Sequence, residues 1–352
     1  MNKGEKYVAY VGTYTLAKSI GIYVYDIDSK NGKLSEKQVV PISNASDITI
    51  SKDKKFLYSI EDEGVASFAI NPDGTLKQLN SASINGMRGD TLVVDSKNRF
   101  LFVGGYHDGK ITVLRLNSDG TVGDVCFSIF HQGLSQGFGE KHRSSAKVTT
   151  LNFTPDEKFI CAVDLGLNQI KVYRIDYETG KLSLDDIVRP EIGAGCRTIK
   201  FSSDGKFAYV LGGYSNRLEV YKYDLKNNEP VFERIQEIDV MPKAHGDSAS
   251  CNIVLDSNET HIAVSVDGLN GVCFLERNKE TGMVSQKFET LSSGDFPKSL
   301  AILPGDEFVS VLNHDTDEIR SFEINYKDGF LLQKSAPIKI SKPNCILTMK
   351  LD

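Results

Sequence analysis

The sequence predicts an all-β chain built as a seven-bladed β-propeller, on three observations: a phrase that recurs seven times, hairpin punctuation between alternating apolar runs, and chain ends that complement one another. The phrase is an apolar alternation, a turn of the Ser-Pro-Asp-Gly type, an aromatic anchor and a second alternating run. Its clearest copies are Phe153-Thr-Pro-Asp-Glu-Lys-Phe159 followed by Ile160 to Leu165, and Phe201-Ser-Ser-Asp-Gly-Lys-Phe207 followed by Ala208 to Leu211. Weaker copies place the anchor at Phe56, Phe100, His261 and Phe308, and Tyr7 fits the start. Anchor spacing runs from 44 residues (Phe56 to Phe100) to 59 (Phe100 to Phe159), a period that suits four-stranded blades with long loops.

Behind the anchors come further period-2 strands such as Gly21-Ile-Tyr-Val-Tyr25, Lys110-Ile-Thr-Val-Leu114, Ile170-Lys-Val-Tyr173 and Leu218-Glu-Val-Tyr221. Turns of the type Asn71-Pro-Asp-Gly-Thr-Leu76, Asn117-Ser-Asp-Gly-Thr-Val122 and Tyr177-Glu-Thr-Gly-Lys-Leu182 then lead to an outer strand. Alternation bounded by Asp-Gly punctuation is the hairpin pattern, which leaves little room for helices. Tyr7 enters as a second strand with no inner partner before it, and Pro343-Asn-Cys-Ile-Leu-Thr348 reads as an inner strand with no successor. The two ends are therefore expected to pair, closing the ring and removing its exposed edges. No linker or charge block divides the chain, so 1–352 reads as one domain, with Gln132 to Thr149 a long inter-blade loop.

Composition narrows the function. A formal net charge of −6 and a pI near 5.6 lack the basic surplus that a phosphate backbone demands, so nucleic acid is not an expected partner. Met1 to Val11 holds no signal-peptide core, and no apolar run approaches the length of a membrane span; the expected setting is the cytoplasm, without membrane association. Cys126, Cys161, Cys196, Cys251, Cys273 and Cys345 are scattered singly, so they read as small apolar residues rather than zinc or redox pairs. There is no dinucleotide fingerprint, Walker loop, nucleophile elbow or zincin helix, and no cofactor is expected. Gly104-Gly-Tyr-His-Asp-Gly109 reads as a turn between strands, not a phosphate cradle. A divalent metal stays open through Asp47, Asp62, Asp90 and Asp267, and the oligomeric state is not indicated.

In a propeller the start of each innermost strand faces the channel, so equivalent repeat positions form a ring. Those positions are Ser46, Asp90, Thr149, Arg197, Cys251, Lys298 and Asn344, with Asp47, Thr91, Thr150, Thr198, Asn252, Ser299 and Cys345 next to them. A second ring, after the anchors, holds Thr13, Asp62, Tyr106, Leu165, Gly213, Asp267 and His314. The cations Arg197 and Lys298 offer a fork and a point charge for an anionic small molecule; the alternative is structural pairing with Asp90, Asp62 or Asp267. Candidate bases are His314, His245 in Ala244-His-Gly-Asp247, and His142, against a solvated or blade-bridging role for each, together with the carboxylates Asp62, Asp164 and Asp267. Asp62, Asp90, Thr149, Tyr106 and Asp267 are candidate substrate contacts, whereas Asp164 reads as a turn-capping acid. With no tryptophan present, Tyr14, Tyr106 and Tyr214 are the rings available for stacking on a sugar.

The phrases Tyr10-Val-Gly-Thr-Tyr14, Gly21-Ile-Tyr-Val-Tyr-Asp26, Phe153-Thr-Pro-Asp156, Val163-Asp-Leu-Gly166 and Asp295-Phe-Pro297 resemble the lactonase family of seven-bladed propellers, which includes bacterial 6-phosphogluconolactonases and fungal carboxymuconate cyclases. The likeness covers nearly the whole chain. It implies hydrolysis of a sugar-acid lactone. It also implies a Gly-x-Gly-Pro-Arg-His motif, read here as Gly193-Ala-Gly-Cys-Arg-Thr198, and a Phe-Pro-Arg-His motif, read here as Phe296-Pro-Lys-Ser299. The cations persist as Arg197 and Lys298. The family's histidine before the Phe-Thr-Pro-Asp strand falls on Thr149, its glutamate on Gly213 and a further histidine on Thr91, so the expected acid–base set is substituted. Lactone hydrolysis needs a base to activate water, and neither threonine nor glycine supplies one near neutral pH. Three readings follow: a lactonase with a rebuilt acid–base set, a diverged isomerase or cyclase of an anionic small molecule, or a non-catalytic propeller that binds a ligand or a protein.

Overall fold

The computed structural model describes residues 5–133, 145–241 and 248–351. Among these, all regular structure is strand, arranged as seven antiparallel sheets. Each anchor is the first residue of the second strand of its sheet: Tyr7–Thr13, Phe56–Glu61, Phe100–Gly104, Phe159–Asp164, Phe207–Gly212, His261–Asp267 and Phe308–Asn313. The turn ahead of each anchor shows why the phrase is spelled as it is. In five blades a side-chain oxygen five residues earlier accepts the anchor's N–H: Ser51 for Phe56, Asp95 for Phe100, Thr154 for Phe159, Ser202 for Phe207 and Asp256 for His261, at 2.7 to 3.2 Å. These caps satisfy a donor the ladder leaves open where the chain reverses.

The described chain falls into two compact units. The first comprises Met1–Ile48, Ile70–Lys77 and Val240–Asp352; the second comprises Thr49–Ala69 and Gln78–Asp239. In the first unit, Tyr7–Thr13 pairs with Gly21–Asp28 on one side and with the C-terminal strand Pro343–Lys350 on the other, in register from Tyr7 opposite Lys350 to Gly12 opposite Cys345. The closure expected from the two chain ends is thus present. Gly12 is required there, because a Cβ would stand 2.2 Å from the Ala45 carbonyl oxygen. The sheets of Ala249–Leu255 and Pro297–Ile302 complete this unit. The second unit holds the sheets that begin at Thr91–Val94, Val148–Phe153 and Cys196–Phe201, with Phe56–Glu61 and its partner strand Gly64–Ile70 as far as Ala69.

The apolar faces of consecutive sheets are buried against one another. In the second unit Phe100, Phe102, Val113, Ile160, Ala162 and Tyr173 form one such layer. Val163, Val172, Val210 and Tyr221 form the next. In the first unit Val272, Phe274, Val309, Val311 and Phe322 do the same. Two-sided burial of the middle strands explains why they read as near-continuous apolar runs, while the outer strands alternate. Cys161 and Cys196 are buried in these layers, Cys251 and Cys273 are buried elsewhere, and none of the six cysteines forms a disulfide.

Candidate functional site

The innermost strands share one irregularity. In five blades the ladder between the first and second strands skips a single residue, and the skipped residues are Thr149, Arg197, Cys251, Lys298 and Asn344. These are members of the ring inferred from the repeat. A bulge removes its residue from the ladder and re-aims its side chain, so each of these positions presents a group the pleat would otherwise fix. Asp90 holds the equivalent place in its blade, its N–H bound to the Gly104 carbonyl at 2.8 Å just ahead of Thr91–Val94.

In the first unit, one bulge residue stands beside a histidine. His314 lies in the turn after Phe308–Asn313, its N–H donating to the Phe296 carbonyl at 2.8 Å. The imidazole Nδ1 is 3.0 Å from the Pro343 carbonyl oxygen. A carbonyl only accepts, so Nδ1 carries the hydrogen and the lone pair resides on Nε2. The ring meets Tyr14 edge-on at 5.7 Å and Phe296 at 5.3 Å. The Lys298 ammonium lies over the same two rings, 5.0 Å from the centroid of Tyr14 and 5.6 Å from that of Phe296. Burial lowers the His314 pKa below its usual 6.5; Lys298 and Lys342 push it the same way, against the Pro343 carbonyl and Asp315. Phe296 holds a left-handed φ of 52°. It is pinned by its N–H to the Asn270 side-chain oxygen and by its carbonyl to His314. A bulky residue in that region stores strain of the kind found at ligand sites. Asp267, also in this unit, ends its strand with a carboxylate that accepts the Gly268 N–H at 2.7 Å.

In the second unit, the Arg197 carbonyl accepts two hydroxyls from the neighbouring innermost strand, Thr149 at 2.7 Å and Thr150 at 3.0 Å. Gly213, where the family resemblance implies a glutamate, faces this residue: a Cβ there would lie 3.5 Å from the Arg197 Cβ, an ordinary contact. Asp62 pairs with Arg88 at 3.6 Å across an exposed surface. Tyr106 lies under the Lys147 ammonium, 4.9 Å from its ring centroid, and meets His107 edge-on. Asp164 accepts the backbone N–H groups of Lys147 and Leu167, at 2.8 and 2.9 Å. Its second oxygen is held at 2.7 Å by Nδ1 of His131, both side chains being fully buried.

Thus Lys298 and His314 meet over shared rings, Thr149 meets Arg197, and Asp62 and Asp267 engage their own local partners. His245 and His142 lie outside the described residues. Sequence reasoning missed Phe296 as a wall, the Pro343 carbonyl as the group that sets the His314 tautomer, and His131 altogether. The Asp-Phe-Pro phrase flagged the first, whereas His131 follows an outer strand and has no repeat equivalent. Among the described residues no group of three His, Cys, Asp or Glu side chains is placed to hold a metal ion.

The strand order is that of a seven-bladed propeller, and the chain matches the family "Lactonase, 7-bladed beta-propeller" over residues 8–348 and belongs to it. It is 28% identical over 350 residues to a 6-phosphogluconolactonase of Bacillus subtilis, covering 97% of this chain and 98% of that one. Among solved structures it resembles a putative 6-phosphogluconolactonase of Bacteroides fragilis, with a TM-score of 0.90, 24% identity and 99% of both chains covered. The periplasmic gluconolactonase of Pseudomonas aeruginosa gives a TM-score of 0.91 at 24% identity, covering 99% of this chain and 100% of that one. At such identities the two structures speak for the fold alone. No helix among the described residues is long and apolar enough to cross a membrane.

Proposed function

We propose that this protein hydrolyses the lactone of a sugar acid, with His314 as the general base and Lys298 as the group that holds developing negative charge. The observation that carries the reading is the tautomer of His314: the Pro343 carbonyl takes the Nδ1 hydrogen and leaves Nε2 basic, beside a bulge-aimed ammonium. In this mechanism Nε2 takes a proton from water as its oxygen attacks the ester carbonyl. The Lys298 ammonium steadies the oxyanion; collapse expels the ring oxygen, which receives the proton back from the imidazolium, and an open hydroxy acid is released. Tyr14 and Phe296 supply rings on which the lactone packs. Arg197 is a second anion-holding candidate at the equivalent bulge of its own blade, its fork suited to a carboxylate or phosphate.

Family membership and the 6-phosphogluconolactonase name of a full-length relative support the substrate class. A phosphorylated lactone is held by its charge on the side of the membrane where it is made, which favours the cytoplasm as the site of action. The test is hydrolysis of a panel of aldonic and phosphoaldonic lactones, corrected for the spontaneous rate, by the protein and by His314→Gln and Arg197→Ala. Turnover that vanishes in His314→Gln while folding persists is the expected result. No turnover on any lactone would sink the reading and favour a diverged isomerase, cyclase or binding propeller.

A further inference from the structure

The groups that fix the Arg197 bulge come from the two ends of one hairpin. From the strand Val148–Phe153, Thr149 and Thr150 donate their hydroxyls to the Arg197 carbonyl. From the turn that leaves Phe159–Asp164, Asn168 accepts the Cys196 N–H at 3.2 Å, and the Asp164 carbonyl receives the Cys196 thiol at 3.5 Å, shared with the Gln169 carbonyl. Those two ends are tied by Asp164. One carboxylate oxygen takes the N–H groups of Lys147 and Leu167, and Leu165 donates its N–H back to Lys147. The other oxygen is bound by His131, which arrives at the end of the outer strand Val122–Phe130 with its own N–H on the Gly109 carbonyl.

A buried carboxylate persists only when its oxygens are satisfied, and here the third donor is an imidazole. The other imidazole nitrogen, Nε2, is buried and meets no hydrogen-bond partner among the described residues. Among the described residues the one polar contact of the His131 ring is the Nδ1–H bond to Asp164, and the tilted Tyr173 ring packs on it at 5.9 Å. Lys171, a positive neighbour of His131, donates its ammonium to the Gln132 carbonyl at 3.2 Å.

We propose that the His131–Asp164 pair is the positioning element for Arg197, a role that rests on the anion-holding function assigned to Arg197 above. His131 touches no substrate; it acts by fixing Asp164, which fixes the hairpin ends, which fix the bulge. Three substitutions separate this from ordinary core packing. Asn places an Nδ2–H where Nδ1–H stands, Gln carries its amide further along the side chain, and Leu removes the donor.

Hydrogen exchange read by mass spectrometry on the intact chain is expected to speed up at Lys147 to Leu151 and Ala194 to Phe201 in His131→Leu and His131→Gln. Exchange there stays slow in His131→Asn, and His261–Asp267 is unchanged in all three. With a lactone substrate, His131→Leu and His131→Gln raise KM about tenfold or more, as expected for a misplaced binding group. kcat changes little and the pH limb set by His314 stays where it is. Unchanged exchange around Arg197 in His131→Leu, or equal loss in all three variants, overturns the proposal. If the wild-type chain hydrolyses no lactone, the functional reading falls, and the exchange comparison still decides this one.

Discussion

The hydroxyl of Thr149 donates to the carbonyl of Arg197 at 2.7 Å, one bulge residue bracing the next. Thr149 stands where the family resemblance places an acid–base histidine, so this bond describes the use to which the substituted position is put. Thr149→Val keeps the shape and removes the donor. It is expected to lower stability by about 0.5–1.5 kcal/mol in urea denaturation, with Thr150 still bound to the same carbonyl. Thr149→Ser is expected to restore it. An unchanged denaturation midpoint in Thr149→Val would show that Thr150 alone braces the bulge.

The two bulge cations are expected to fail differently. Lys298→Met removes charge stabilisation next to the base, and kcat/KM for a lactone is expected to drop by roughly 10²-fold, the scale of losing one oxyanion donor. Arg197→Ala acts through binding, so KM rises more than kcat falls. Steady-state kinetics on one lactone distinguishes them; identical kcat and KM changes in both variants would contradict separate roles.

Much of this fold is legible in the sequence because the repeat is spelled out in local chemistry. Each anchor opens a strand, and in five blades a side-chain cap before it terminates the turn at a fixed distance. The bulge ring is legible for the same reason: repeat-equivalent positions inherit equivalent backbone, so Arg197 and Lys298 can be singled out without coordinates. The contacts between them and their surroundings are not. Arg88 opposite Asp62, the Pro343 carbonyl on His314 and His131 on Asp164 join residues distant in the chain through loops that follow no period. A lone histidine after an outer strand carries no signal of what it will meet.

Two glycines near Arg197 make a paired stability test. Gly195 has a φ of 59°, and a Cβ there would fall 2.2 Å from the Tyr214 ring. Gly213 has no left-handed φ, and its nearest neighbour would be the Gly195 carbonyl oxygen at 3.3 Å. Gly195→Ala is therefore expected to lower Tm by several degrees through strain and displacement of Tyr214, a loss of more than about 1 kcal/mol. Gly213→Ala is expected to stay within about a degree of wild type, because the strain of one tight contact is offset by a stiffer unfolded chain. Calorimetry decides, and equal losses at both positions would refute the distinction.

The pH dependence follows from the position of His314. Its pKa is held below the usual 6.5, first by burial and then by Lys298 and Lys342, with Asp315 and the Pro343 carbonyl opposing. At pH 7 the imidazole is neutral and able to take a proton, so kcat/KM is expected to be flat at neutral pH and to fall on the acid side below pH 6.5. Lys298→Met and Lys342→Met each remove a positive neighbour, which makes protonation easier; the limb must move to higher pH, further for Lys298. Stability carries the same sign. The unfolded chain protonates near 6.5 while the folded chain resists, so the contribution of His314 is full above that pH and is lost as pH falls through it. His131, lowered chiefly by its own burial, adds to the same slope. Urea denaturation of wild type and His314→Gln at pH 5 to 8 checks this: the variant's stability should decline less on acidification. A limb that moves to lower pH in Lys298→Met would place the titrating base elsewhere than His314.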